Sequence, residues 1–376
     1  MDDLYCSMIH GGLQIMLTNS KKFRHCCLSS NTYEIPVDLS ADLFNSEELL
    51  AVRRLNQTNQ WNSGCGSCTE MEKTQHPSFR QDSNNFYGWQ KTFRGPIRLD
   101  ITLDNACNLA CQTCAPDSST FWQQHLKKTG ISDPDKNKHE MYDHDQMVVR
   151  FNMIDLSELK TLVFCGGETL LGNSSFRFLE YIKSRRPDGD IEVCFQTNGT
   201  IPIPTRYLAL LESFKLVKMQ VSLDGVGARF NYLRWPGNWN ATVANLMKMR
   251  DTCPVNVMFL IEQTLSIFNL YYKRELADWI EVNFPTNRLG DATSYSQHFV
   301  FSTSNGNFSL DNLSEEYVEK LASDATLAEY VPTNFVENEQ NIKEMLARIA
   351  LFDGHRKHDW KQVFPEVAGF YNRYIQ

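Results

Sequence analysis

The chain has 376 residues, 42% hydrophobic and 22% charged, with a formal net charge of -8. This composition supports a sizeable core and excludes wholesale disorder, while an acidic chain without a basic block excludes nucleic acid as the main partner. The opening MDDLYCSMIH lacks the basic and apolar regions of a signal peptide, and no run reaches the ~18 apolar residues that span a bilayer, so the expectation is a cytoplasmic protein without a membrane partner.

Residues 1 to 95 hold Cys6, Cys26, Cys27, Cys65 and Cys68. In a reducing compartment such thiols read as metal ligands, catalytic groups or core residues rather than disulfides. Between them DLFNSEELLAVRRL reads as a short helix, capped by Asn45 or Ser46, that brings Cys65 and Cys68 back toward Cys26.

From 96 to 305 strand-like and helix-like segments alternate, the pattern of an α/β fold. The strand candidates are IRLDITL, TLVFC, IEVCFQT, LVKMQVSL, VNVMFLI and HFVFST. Strand side chains alternate, so Asp100, Thr102 and Asp104 share a face, as do Gln196 and Asn198, and Gln220, Ser222 and Asp224. Polar residues recurring in this way suggest a barrel lumen built for a polar ligand. SDPDKNKHEMYDHDQ, with His139, Asp143, His144 and Asp145, reads as a solvated loop or helix face rather than a metal cluster. Cys165, Cys194 and Cys253 lie in or beside apolar segments and read as core thiols.

Residues 306 to 376 read as helical. In NIKEMLARIALF, Ile342, Met345, Leu346, Ile349 and Phe352 fall on one face, with Gly354 as the stop. HRKH, at 355 to 358, reads as a solvated turn.

The stretch with the most chemistry is CNLACQTC, where Cys107, Cys111 and Cys114 are separated by three residues and then two. Structural zinc takes four ligands. Three thiolates instead leave a cubane iron–sulfur cluster with one iron lacking a protein ligand. This spacing, after a strand and opening a loop, resembles the signature of the radical SAM superfamily. CGGET at 165 to 169, QTNGT at 196 to 200 and SLDG at 222 to 225 follow in the right order, each at the end of an expected strand.

The resemblance implies a partial (β/α)6 barrel. It also implies a [4Fe–4S] cluster on Cys107, Cys111 and Cys114 that binds S-adenosylmethionine (SAM) and cleaves it reductively to a 5′-deoxyadenosyl radical. By the same resemblance, Gly166, Gly167 and Glu168 receive the methionyl amino group. Ser222 and Arg234 match positions used for the SAM ribose or carboxylate, Gln196 and Asn198 lie toward the adenosyl part, and Asp224 contacts ribose or stabilises its turn. Two residues depart from the pattern: Thr113 stands where relatives carry an aromatic near adenine, and Thr169 stands where they often carry proline.

The cysteines of residues 1 to 95, with Glu70 after the GCGSC stretch, resemble a SPASM/Twitch auxiliary-cluster module placed before the barrel instead of after it. The ligands this implies are Cys6, Cys26, Cys65 and Cys68, with Cys27 spare, around a second [4Fe–4S] cluster. A four-thiolate zinc site is the alternative. The expected layout is therefore an auxiliary module over 1–95, a radical SAM partial barrel over 96–305 and a C-terminal helical extension over 306–376. Expected partners are an electron donor such as flavodoxin or ferredoxin and a substrate that is either a peptide or a small molecule such as a sugar or cyclitol. A non-catalytic iron–sulfur protein is the third reading, opposed by the intact CNLACQTC and GGE.

Overall fold

The computed structural model describes residues 4–18, 21–90, 92–130, 143–286, 293–299, 308–332 and 335–375. Most of SDPDKNKHEMYDHDQ, including His139, and the last four residues of HFVFST lie outside these residues. The chain gathers into two compact units that interleave along the sequence. The first comprises Met1–Asn105, Asn137–Gln196 and Pro204–Lys218, and the second Ala106–Lys136, Thr197–Ile203 and Met219–Gln376.

The first unit is built on a mixed sheet. Its strands are β1 (Gly12–Met16), β2 (Lys22–Arg24), β3 (Tyr33–Glu34), β4 (Arg98–Thr102), β5 (Thr161–Cys165) and β6 (Glu192–Thr197), in the spatial order β3-β2-β1-β4-β5-β6. β4, β5 and β6 run parallel, with Asp100 opposite Val163 and Val163 opposite Cys194. These three were expected from their apolar runs, the burial pattern of strands covered on both faces. β1 was not expected. It pairs parallel to β4, with Gln14 opposite Asp100, and antiparallel to β2. Leu13, Ile15 and Leu17 are buried on one side of β1, an alternation visible in GLQIML but only five residues long. The helix expected near Ser46 runs over Glu47–Gln57, and the Ser46 side chain accepts from the Leu49 backbone N–H. Phe93, Cys6, Met8, Ile9, Val52 and Ile97 share one apolar cluster, which holds the cysteine-bearing segment against the start of β4.

In the second unit, β7 (Leu216–Ser222, entering from the first unit), β8 (Val257–Leu265) and β9 (Ser294–Phe299) follow in order, with β8 and β9 parallel. Burial alternates strictly along β8. Asn198 and Asp224 lie just past the ends of β6 and β7, and Asp104 lies past β4. One member of each expected polar face thus lies past the C-terminal end of its own strand, the end at which parallel α/β proteins place their ligands. The α/β class is the observed one: parallel strands alternating with helices in the manner of a partial barrel.

Two expectations at the C-terminus are corrected. The helix Glu339–Arg356 runs through Gly354 and ends only where Lys357 adopts a left-handed conformation, φ 55°. HRKH is solvated only in part: His355 and Lys357 are exposed, but Arg356 is only 6% exposed. The stripe expected on this helix packs as foreseen, with Ile342, Met345 and Ile349 in a large apolar cluster and Leu346 partly buried against it. Among the described residues no helix is long and apolar enough to cross a membrane.

One glycine in the first unit is fixed by space alone. An ideal Cβ on Gly95 would fall 1.7 Å from the Asp155 carbonyl oxygen. Gly95→Ala should therefore cost about 1–3 kcal/mol, the range for forced overpacking. A urea denaturation midpoint unchanged from wild type would show that this approach is not maintained in solution.

Candidate functional site

The CNLACQTC loop lies wholly in the second unit. Cys111 is buried, and Cys107 and Cys114 are half-buried. Backbone and side-chain hydrogen bonds fix the loop from several sides. Ala110 N–H donates to the Trp235 carbonyl at 2.7 Å, and Gln112 N–H donates to the Leu233 carbonyl at 2.8 Å. Trp122 Nε1 donates to the Cys111 carbonyl at 2.8 Å, and Ser119 Oγ to the Leu109 carbonyl at 2.6 Å. The loop thus carries its geometry in the protein rather than borrowing it from a metal. Burial pushes the Cys114 thiol up to about 11, with Cys107 adding to the rise. Burial likewise raises Cys111. Metal binding here must displace protons, as thiolate ligation does generally.

Arg234, the residue between those two carbonyls, is turned inward. Its Nε and Nη2 face Asp224 at 2.6 and 2.9 Å, and Nη1 points to Cys111 Sγ at 3.9 Å. Asp224 is fully buried and Arg234 is 9% exposed, so this is a buried ion pair. Asp224 also accepts from Thr264 N–H at 2.9 Å, and its carbonyl accepts from Asn269 Nδ2 at 2.8 Å. Both residues that sequence reasoning set toward SAM are thus engaged with each other, with β8 and with the cysteine loop. Asn198 is similarly engaged. Its Nδ2 donates to Asn108 Oδ1 at 3.0 Å, and its Oδ1 accepts from Thr200 N–H at 2.9 Å and from the Thr200 hydroxyl. Asn108 Nδ2 closes the ring on Thr200 Oγ1 at 2.8 Å, so QTNGT is tied to CNLAC by side-chain amides. Ser222 and Thr113 are half-buried in this unit.

The GGE residues lie in the first unit, after β5. Gly166 has φ 115°, a conformation open to glycine, and a Cβ there would fall 2.6 Å from the Asp104 carbonyl oxygen. Glu168 is 1% exposed and its Oε1 accepts from Leu170 N–H at 3.1 Å. Thr169, in the place of the usual proline, donates its hydroxyl to the Gln196 carbonyl at 2.7 Å. Gln196 itself is exposed. Gly167 N–H points to the Asp104 carbonyl at 3.5 Å.

The auxiliary cysteines meet in the first unit. Cys6, Cys26, Cys65 and Cys68 line one narrow cavity of about 20 Å³, together with His25, Trp61, Phe79 and Arg80. Burial raises Cys6 to about 11 and Cys65 to about 12. Cys27 does not line this cavity, and its thiol interacts with those of Cys26 and Cys165 and with the Asp100 carboxyl. His25 was missed by sequence reasoning. Its buried ring places Nε2 3.8 Å from Cys65 Sγ, and only its position in RHCC could have signalled it. Arg80 was missed as well, and it pairs with Glu72 at 2.7 Å and donates to the Tyr5 carbonyl at 2.8 Å. Of the other thiols, Cys194 and Cys253 are buried and Cys165 is half-buried.

The two thiol sets fit iron–sulfur chemistry by their donor atoms: three thiols in one braced loop, and four lining one cavity. Among the described residues no three Cys, His, Asp or Glu side chains converge as ligands of a single ion. A cubane asks for a wider spread, one thiolate to each iron. Residues 101–267 match the Radical SAM superfamily. The resemblance seen in the cysteine spacing thus extends over that stretch. The cofactors of radical SAM proteins are a [4Fe–4S] cluster and SAM, and the match runs from β4 through β8, including the whole CNLACQTC loop.

A stretch of 134 residues is 31% identical to the GTP 3′,8-cyclase of Synechococcus sp. (strain CC9902), covering 36% of this chain and 33% of that protein. Among solved structures, tagged anSMEcpe with bound AdoMet is similar over 62% of this chain and 58% of that one, at 16% identity and a TM-score of 0.42. Streptococcus suis SuiB bound to S-adenosylmethionine is similar over 80% of this chain and 52% of that one, at 12% identity and a TM-score of 0.37. The chain therefore matches a third of the curated relative's length and little more than half of either solved chain.

The buried pair supplies a prediction. Removing one partner of a buried ion pair leaves the other charge uncompensated, at a cost of about 3–5 kcal/mol. Asp224→Ala should lose that much stability in denaturant unfolding of the cluster-free chain. A loss below about 1 kcal/mol would mean that water reaches Arg234 and that the pair is not sealed.

Proposed function

We propose that the chain is an enzyme that cleaves SAM reductively at a [4Fe–4S] cluster on Cys107, Cys111 and Cys114 and oxidises a peptide substrate, aided by a second cluster on Cys6, Cys26, Cys65 and Cys68. The observation that carries this reading is the pair of separate thiol sets: three in a braced loop and four around one cavity. When bound, the cluster and SAM supply a 5′-deoxyadenosyl radical that abstracts hydrogen from a C–H bond. A second centre with four protein thiolates has no iron open to SAM and suits the uptake of an electron from an oxidised substrate.

The chain's own residues serve this chemistry in distinct ways. Arg234 holds a positive charge against Cys111, which favours its thiolate. The positive-φ turn at Gly166 brings backbone close to whatever occupies the mouth of β5, and the Glu168 carboxylate suits an ammonium group such as that of SAM. The first electron comes from a donor such as flavodoxin or ferredoxin. The peptide assignment rests on the resemblance to SPASM/Twitch proteins, many of which modify peptides.

A small polar substrate is the second reading, favoured by a cavity of about 300 Å³ in the second unit. Lys273, Arg274, Tyr295, Gln297, Thr326 and Glu329 line it, and Tyr295 and Gln297 both donate to Gln263 Oε1. Such a lining suits the hydroxyls of a sugar or cyclitol. Anaerobic incubation with SAM, reductant and a panel of peptides, sugars, cyclitols and GTP discriminates the two. Substrate-dependent 5′-deoxyadenosine with a peptide supports the first reading, and its formation only with a sugar, cyclitol or GTP overturns it.

Cys107→Ala, Cys111→Ala and Cys114→Ala should each abolish reductive formation of 5′-deoxyadenosine. Wild-type rates in any one of them would remove the cluster from this loop. Replacing Cys65 and Cys68 together should lower iron from about eight to about four per chain, on cubane stoichiometry, while SAM cleavage persists and product is lost. About four irons and one zinc in the wild-type chain would instead identify the cavity as a zinc site.

A further inference from the structure

Within the second unit, the helix Glu339–Arg356 delivers a cation to the cysteine loop. Arg356 is 6% exposed. Its guanidinium carbon lies 4.9 Å from the Trp122 ring centroid, 4.7 Å from that of Trp235 and 5.0 Å from that of Phe352. Nη2 donates to the carbonyl of Ala110, inside CNLACQTC, at 3.1 Å, and Nε donates to His125 Nε2 at 3.3 Å. Nη1 is buried without a hydrogen-bond partner. The direct partners of this guanidinium are thus a carbonyl, an imidazole and three aromatic faces, while the buried Asp353 carboxylate, one turn back on the same helix, acts on it only through space. Arg234, the other guanidinium beside the loop, has its charge matched by Asp224.

We propose that Arg356 is a positioning residue that fixes the Ala110 peptide of the cluster loop and, by its buried charge, raises the reduction potential of the cluster held there. This rests on the assignment of that cluster to Cys107, Cys111 and Cys114. Reduction adds one negative charge to the cluster. A buried cation favours the more negative state, because Coulomb interactions are weakly screened away from water, and local charge is one of the quantities that set cluster potentials. Trp122 couples both halves of the role, since its ring stacks on the guanidinium while its Nε1–H holds the Cys111 carbonyl.

The test is an anaerobic redox titration followed by electron paramagnetic resonance, without SAM, in a full-length background with Cys65 and Cys68 replaced so that one cluster contributes. Arg356→Met should make reduction at least tenfold less favourable at a fixed ambient potential, a fall of about 59 mV for a one-electron couple. Arg356→Lys, which keeps the charge, should stay near the parent value. An Arg356→Met chain with the parent potential overturns the proposal. If Arg356→Met takes up no cluster, Arg356→Lys decides: loading at the parent potential supports the role of the charge. A lowered potential, or no loading in either variant, assigns Arg356 to loop shape alone and overturns it. A parent chain that holds no iron on Cys107, Cys111 and Cys114 sinks the cluster assignment itself, an outcome separable from all the others.

Discussion

Arg234 and Asp224 are both withdrawn from water, and neither charge is tolerable there without the other. Their pairing places three otherwise separate pieces of the second unit in register. Asp224 holds the end of β8 through Thr264 and the following turn through Asn269. Arg234 reaches Cys111 with its side chain, while the carbonyls on either side of it, Leu233 and Trp235, accept from Gln112 and Ala110. A single stretch, 233 to 235, therefore grips the cysteine loop three times, twice through backbone and once through charge. That arrangement explains why residues matched by motif to a SAM contact are found holding the scaffold: orienting the thiols comes before binding anything on them.

The two thiol sets differ in how they are held. The cysteine loop of the second unit is stitched by hydrogen bonds to its carbonyls and amides, so its shape is set by polar contacts. The cavity of the first unit is walled by apolar and aromatic side chains, with Cys6 and Ile9 in one packed cluster and Cys26, Cys65 and Phe79 against it. Burial raises Cys6 and Cys65 in the cavity and Cys114 in the loop alike. In both places burial makes the bare thiolate unfavourable, so a metal bound by these thiols would have to displace their protons.

The parallel strands were legible because strands buried on both faces spell themselves as apolar runs, as TLVFC does. The Ser46 cap was legible from its acidic first turn. The loop cysteines were legible because spacing survives any fold around them. β1 escaped because its five residues draw their stability from β4, more than eighty positions away, and local propensity cannot report such a partner. Asn198 was set toward the adenosyl group because a polar residue at a strand end looks the same whether it faces a ligand or another amide. Arg356 was read as solvated because its immediate neighbours, His355, Lys357 and His358, are polar. The aromatic rings that bury it come from positions 122, 235 and 352, a convergence that only the folded chain reveals.

The bond from Arg356 to the Ala110 carbonyl joins residues 246 positions apart. All the side chains that line the auxiliary cavity lie between Cys6 and Arg80. During synthesis, then, the two thiol sets mature at different moments. The cavity has all its lining residues while most of the chain is still unmade. The cysteine loop, although translated only shortly afterwards, waits for the helix Glu339–Arg356 before its guanidinium brace can close. Domains that need such distant contacts are slow to finish and exposed in the interval. Seven thiols would face that interval differently: four with their walls already translated, three on a loop still open to whatever iron, oxidant or chaperone reaches it first.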